Sequence, residues 1–499
     1  MSTTSTSPSP STPTRLREMH ELPGPPSLPI LGNALQIKRE RIHLDVEHWC
    51  QLYGPMFRAH FGPTPVLVVA DHELIGAMLR ARPDDFNRSE RLAIISREMG
   101  LKLGLFAAEG EAWRHQRRMV MASFAPGHVR AYFPSLLKVT QRLGTRWQKA
   151  AQAGVAIDLQ SDLMRFTVDA ITGLAFGADV NTLESDEDVI QRHLDKIFPA
   201  LFRRILSLVP YWRVFKLPSD RDLDRSVAAV KQAITVFIAQ ARGRLQADPR
   251  RLDNPPNLLE AMIVAADQAD SGVNDQDVAD NVLAMLLAGE DTTANTLAWM
   301  IHLLQRNPSA LARAQDEVRR LADDPAAFTP ESMARLDYLE ACANETMRLK
   351  PVAPFLPLQA SCDTVVGDVR VPAGTLIWNV LRHDSLDEKH FDDPSAFRPE
   401  RWLLTEGVAP QHHASHAKRV SMPFGAGPRV CPGRYLALLE MKMAMAMLLS
   451  RFDIVSVDTP DGQAAQEHMS FTMEPVGLTM RLRERKKTDP EESVEKSLL

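Results

Sequence analysis

The stretch from Asn274 to about Arg306 constrains the fold of this chain more than any other segment. Apolar residues recur along it at helical spacing, and Asn274-Asp275 supplies a helix-starting cap. As one helix it is roughly 50 Å long, enough to cross a whole domain. The domain must therefore be built around it. No internal repeat and no linker interrupts the 499 residues. From about Asp71 to Lys350 the pattern is mostly helical, with Asp71 another helix-starting signal. Two short apolar runs, Met56 to Phe61 and Val66 to Ala70, flank Gly62-Pro63 and predict a hairpin. From Asp363 to Asn379 the period changes toward strands, with turns at Gly367 and Pro372-Ala-Gly374. A last helix follows Cys431, and a final hairpin pattern spans about Met469 to Leu482. The expected architecture is a single large domain over 20–483, mainly α with small β-sheets. Residues 1–19, rich in Ser, Thr and Pro, read as a tail, and 484–499 as a charged tail.

Composition narrows the function classes. The chain is 44% apolar and 24% charged, which suits a globular protein with a sizeable core. A net charge of −5 argues against nucleic acid as the main partner. No run of 18 apolar residues exists, so no membrane-spanning segment is expected, and the amino end lacks the apolar centre of a signal peptide. Cys50, Cys342, Cys362 and Cys431 lie far apart, with no metal-ligand spacing, which points to a reducing, cytoplasmic setting. His412-His-Ala-Ser-His416 falls in a polar loop without a second ligand set, so a zinc site is not expected from it. The Met-rich run Met441 to Met447 reads as core filling. The aromatic and basic stretch Phe202 to Lys216 reads either as a substrate-entrance loop or as a membrane-touching surface.

Chemistry concentrates around Cys431. In Phe424-Gly-Ala-Gly-Pro-Arg-Val-Cys-Pro-Gly433 the glycines Gly425, Gly427 and Gly433 permit positive φ or close approach to a flat ligand. Pro432 suits the first turn of a helix, so Cys431 is expected at a helix amino terminus that favours a thiolate. Arg429 offers a cation, and Phe424 an aromatic neighbour. An anionic sulfur in such company suits an axial haem ligand. Within the long helix, Ala288-Gly-Glu-Asp-Thr-Thr293 sets an acid and hydroxyls in an apolar run. Read alone, Thr292 bonds back to a carbonyl one turn earlier. Glu345 and Arg348 share a helix face, by default as a surface pair. Trp113 and Arg117 do the same one turn apart.

These motifs, in this order, resemble the cytochrome P450 superfamily. The cysteine segment matches Phe-x-x-Gly-x-Arg-x-Cys-x-Gly at every fixed position, and the likeness runs from about Leu22 to Leu482. It implies a triangular, mainly α single domain with a long central helix over haem b. Cys431 would be the iron ligand, and Trp113, Arg117 and Arg429 would anchor propionates. Leu358 stands where some members carry a further cation. Thr292 would face the activated oxygen, Asp291 would help deliver protons, and Ala288 and Gly289 would leave room, with a kink or π-bulge at Gly289. Glu345, Arg348 and Arg401 would be structural, with Trp402 where the family more often has Phe. Pocket residues would be Ile94, Ile95, Leu103, Met285, Val352, Ala353, Phe355, Phe471 and Thr472. The implied activity is insertion of one atom of dioxygen into a hydrophobic molecule such as a fatty acid, terpene or steroid. Electrons would come from a separate ferredoxin, flavodoxin or reductase, with Arg114 and Arg118 as candidate contacts for an acidic donor, and the protein would be a monomer. A peroxygenase or hydroperoxide-rearranging enzyme is the alternative, against which Asp291-Thr292 argues.

Overall fold

The protein is described here from a computed structural model that covers residues 15–124, 126–177, 179–184, 189–403 and 414–485. Six helices position the site: α1 (His72–Arg80), α2 (Gly110–Ser123), α3 (Leu159–Phe176), α4 (Asp275–Arg306), α5 (Asp337–Leu349) and α6 (Arg434–Arg451). The predicted long helix is α4. Asn274 caps it by accepting from Asp277 N (3.1 Å), while the Asp277 carboxylate accepts from Asn274 N (2.9 Å), a reciprocal capping box. Most of α4 is buried, with Leu297, Trp299 and Met300 fully so. Asp71 likewise caps α1, accepting from Leu74 N at 2.9 Å.

The predicted hairpin near the amino end is the edge of a five-stranded sheet. Its strands are β1 (Met56–Phe61), β2 (Thr64–Val69), β3 (Phe86–Arg88), β4 (Phe355–Ala360) and β5 (Leu376–Val380), in the order β1-β2-β5-β4-β3. β2 and β5 run parallel, and the other pairs antiparallel. In the last pair Arg88 lies opposite Leu358.

Two boundaries differ from expectation. Arg17–Glu18 forms a strand parallel to Val369–Arg370, and Arg17 makes a two-pronged pair with Asp368, both bonds 2.7 Å. Residues 15–19 are thus paired rather than tail, because a bidentate guanidinium–carboxylate contact fixes the strand beside them. The final hairpin pattern is really two structures. β6 (Glu467–Met469) pairs with β7 (Met473–Pro475), whereas Thr479–Glu484 pairs with Phe452–Asp458.

Glu345 and Arg348 are fully buried, not a surface pair. Arg348 donates to both Glu345 oxygens (2.8 and 2.7 Å) and to the carbonyls of Ser385 (2.6 Å) and Pro394 (2.7 Å). Arg398 N and Trp402 Nε1 also donate to Glu345, each at 2.9 Å, and Arg401 Nε does so at 3.4 Å. The tryptophan at 402 thus adds an indole N–H that a phenylalanine lacks. Replacing Arg348 with Met should cost about 3–5 kcal/mol, since Glu345 would be left buried with less compensation. Trp402→Phe removes one donor and should cost about 1 kcal/mol. Both are read as shifts in the denaturation midpoint of the haem-loaded protein.

Candidate functional site

Cys431 lies in a loop turned by two left-handed glycines, Gly425 (φ 75°) and Gly427 (φ 69°). The Cys431 N–H donates to Phe424 O at 3.0 Å, and the Phe424 ring packs, half-buried, against the main core. Gly427 is sterically required: a Cβ there would sit 2.3 Å from the Leu79 carbonyl oxygen of α1. Gly433 has an ordinary φ of −82° and caps α6, which begins at Arg434. Pro432 therefore lies in the turn before the helix, not in its first turn. Burial pushes the Cys431 thiol above its usual range, while the Gly433 N–H and the charges of Arg117 and Arg434 pull it down. The expected helix-end thiolate is thus not what the chain alone provides. Coordination to a metal deprotonates a thiol outright.

Cations crowd beside this loop. Arg117 donates to Val430 O at 2.9 Å. Arg429 donates to Ala108 O (2.6 Å) and to Glu109, with its guanidinium 4.8 Å from the Trp113 ring centroid. Two further arginines, missed in the sequence, join them. Arg88 lies over the Phe106 ring at 3.9 Å, and Arg82 Nη2 is 4.0 Å from Glu109. Arg88 thus comes from the strand neighbour of Leu358 and brings a cation to that part of the sheet. Burial, reinforced by neighbouring positive charge, lowers Arg82 to about 8 and Arg88 to about 10. Arg82 Nε and Nη2 and Arg429 Nε are buried without hydrogen-bond partners. Three arginines around Glu109, two of them with orphaned donors, fit a group that brings carboxylates, as the haem propionates would.

On α4, Ala288 is exposed and Met285 and Thr292 are half-buried, although Leu286, Leu287 and Thr293 around them are buried. Met285, Ala288 and Thr292 form the open side of a helix that is otherwise mostly buried. The helix shows no π turn at Gly289. That glycine faces α3, where a Cβ would lie 3.2 Å from Ile171 Cδ1, so its small size serves helix packing. Thr292 Oγ1 donates back to Ala288 O at 2.7 Å. Asp291 accepts from Asn295 Nδ2 (2.8 Å) and from the Thr472 hydroxyl. Burial, with Glu474 adding, raises Asp291 to about 6 against the opposing hydrogen bonds of Thr472 and Asn295.

Thr472 is therefore the buried partner of Asp291 and not a free pocket wall. It sits in the β6–β7 turn after Phe471, whose φ of 121° is rare for a residue with a Cβ. Phe471 stacks on Phe198, with centroids 4.4 Å apart. One apolar cluster unites Phe471, Ile95, Leu103, Met285, Ile171 and Leu436, linking the open stripe to the helix after Cys431. Ile94 is 39% exposed and lies outside that cluster. Phe355 packs in the sheet against Trp378 (5.2 Å); its strand register turns it to the sheet core. Val352 O accepts from Met473 N at 2.8 Å, and Ala353 is exposed. Arg118 is exposed, whereas Arg114 is paired with Asp84 and Glu111.

A half-buried cysteine in a glycine-turned loop, carboxylate-seeking arginines and an open stripe on a long helix together define a haem-thiolate protein. The chain belongs to the cytochrome P450 family, whose model matches residues 22–481. It is 27% identical to the protein LUTEIN DEFICIENT 5, chloroplastic, of Arabidopsis thaliana, over 86% of this chain and 72% of that relative. It is 28% identical to the carotene epsilon-monooxygenase, chloroplastic, of the same plant (91% and 83%). With cytochrome P450 3A5 of Homo sapiens it shares 26% identity (86% and 85%). It is accordingly a haem b-dependent monooxygenase. No described helix is long and apolar enough to cross a membrane.

Because Thr472 donates to the charged form of Asp291, losing that bond disfavours the carboxylate. Thr472→Val should move the Asp291 titration midpoint upward from about 6, whereas Thr472→Ser should leave it in place. Infrared difference titration against Asp291→Asn reads the shift directly.

Proposed function

We propose that the protein inserts one atom of dioxygen into an apolar small molecule of the fatty-acid, terpene or steroid kind, with Cys431 as the iron ligand. The observation that carries this reading is the open Met285–Ala288–Thr292 stripe beside an apolar cluster, with the acid Asp291 held by Thr472 next to it. Apolar walls with few polar groups select apolar ligands. A carotene-oxidising relative, so described by its name, favours the terpene end of that range.

Bound haem supplies oxygen activation, assisted by electron density from the thiolate. The chain's own residues do the rest. Arg429 and Arg117, with Trp113 supporting the Arg429 guanidinium, hold propionates, and Arg82 and Arg88 add to that hold. Thr292 swings its hydroxyl from Ala288 O toward the reaction centre, and Asp291 takes protons from solvent and passes them inward. With a midpoint of about 6, Asp291 exchanges protons readily near neutrality. Ile95, Leu103 and Phe471 orient the substrate and exclude water. Electrons come from a separate ferredoxin, flavodoxin or reductase, met transiently by a monomeric chain, with exposed Arg118 the freer contact for an acidic donor. All four cysteines are free thiols, which suits a reducing compartment. The cytoplasm is not singled out, because two relatives are chloroplastic by name.

The reduced protein with carbon monoxide should show the thiolate-type absorption band, and Cys431→Ala should lose it. With a substrate that shifts the haem band, Thr292→Ala should keep binding. Product formed per electron pair should fall by roughly tenfold or more, because the group that directs proton transfer is lost. Unchanged coupling in that variant, with full activity on peroxide, would favour a peroxygenase instead.

A further inference from the structure

At the amino end of α1 several imidazoles gather around one carboxylate. Asp384 is 6% exposed. Its Oδ2 accepts from the His72 backbone N–H (2.8 Å), and lies 2.7 Å from His72 Nδ1 and 3.7 Å from His390 Nε2. Its Oδ1 lies 3.0 Å from His383 Nδ1. The rings of His72 and His390 meet edge to face with centroids 4.7 Å apart, and His416 lies 6.0 Å from His390 on the other side. The sequence pattern around His416 suggested no metal because it showed no second ligand set. The fold supplies one from positions far away in the chain.

One point faces all three groups. His72 Nδ1 and His390 Nε2 both lie against Asp384 Oδ2, at 2.7 and 3.7 Å, and His72 and Asp384 are each 6% exposed. A proton shared between His72 Nδ1 and Asp384 satisfies only one of the two nitrogens. A cation that takes the place of that proton accepts both nitrogen lone pairs and the carboxylate together.

We propose that His72, His390 and Asp384 form a binding site for a divalent transition cation, with zinc the best match and His416 in reach as a further donor. One ligand atom from each of the three lies within 4.8 Å of the others. Two imidazoles and a carboxylate are among the donor sets zinc accepts, at bonds of about 2.0–2.2 Å, and soft thiolates are not needed. Closing the set asks for side-chain movement of up to roughly 1.5 Å, the gap between 4.8 Å and the ligand spacing of about 3.3 Å around a tetrahedral ion with bonds of about 2.0 Å. His390, half-buried, is the residue with room to make it. The location gives the ion a consequence. α1 begins at the site with His72 and ends near Leu79, whose carbonyl packs against Gly427 of the cysteine loop. An ion here would brace the helix that backs the haem ligand without touching the haem.

The test uses the haem-loaded protein, stripped of adventitious metal by a chelator and then given zinc. Elemental analysis counts bound zinc, a chromophoric chelator measures affinity by competition, and absorption at the zinc edge reads the ligands without interference from iron. One zinc per chain with at least two imidazole ligands is expected. His390→Gln should weaken binding at least tenfold while the haem spectrum stays the same. The proposal is overturned if no stoichiometric zinc is held, as for a buried water in its place, or if fewer than two imidazoles coordinate it. Undiminished binding in His390→Gln would also overturn it. Should that variant not fold, the stoichiometry and ligand count of the unaltered protein decide.

Discussion

The buried Glu345 carboxylate holds together the half of the molecule on which the cysteine loop rests. A charge with no exposed surface survives only where donors surround it. Here α5 supplies Arg348, and the segment before the loop supplies Arg398, Arg401 and Trp402. Arg348 meanwhile satisfies the carbonyls of Ser385, Pro394 and Ala396, which would otherwise lie in irregular backbone without partners. One ion pair thereby organises a stretch that has little regular secondary structure of its own. The same stretch carries Asp384 and His390, so the candidate cation site borrows its rigidity.

Around the haem pocket the electrostatics run the other way, toward incomplete compensation. Arg82 and Arg429 are set about Glu109 with buried donors left over, and the Cys431 thiol is pushed up by burial. Both features are unfavourable in the chain alone and favourable once a dianionic group carrying a metal is seated. On the long helix, Asp291 is desolvated but tied to Thr472 and Asn295, which keeps its proton affinity near neutrality. Strain at Phe471, at about 1–3 kcal/mol for such a backbone, lies next to Thr472. The turn that stacks Phe471 on Phe198 thus also holds Asp291 through Thr472.

Much of this was legible in the order of the residues. The long helix, its Asn274 cap and the hairpin at Met56 followed from periodicity and turn chemistry, because those are local properties. The cysteine signature was legible because its glycines serve backbone angles that a side chain resists. Local reading failed where a partner lay far along the chain. Glu345 and Arg348 read as a surface pair because helical spacing says nothing about what covers the face. Gly289 read as space for oxygen, yet its vacant side is needed by Ile171 of α3. Thr472 read as pocket lining, although its hydroxyl belongs to Asp291, far earlier in the sequence.

The sequence by itself determined the residue pattern: a cysteine in a glycine-rich loop, an acid beside a threonine on a long helix, and a mainly α fold of the cytochrome P450 kind. Those are statements about residue type and short spacing, and short-range sterics and hydrogen bonding enforce them. Tertiary structure alone decided how the charges are balanced. Arg88 could be placed opposite Leu358 only through strand register, and His72 beside Asp384 and His390 only through the packing of α1. Burial sets the energy of every such group, and burial is a property of what the rest of the chain brings near.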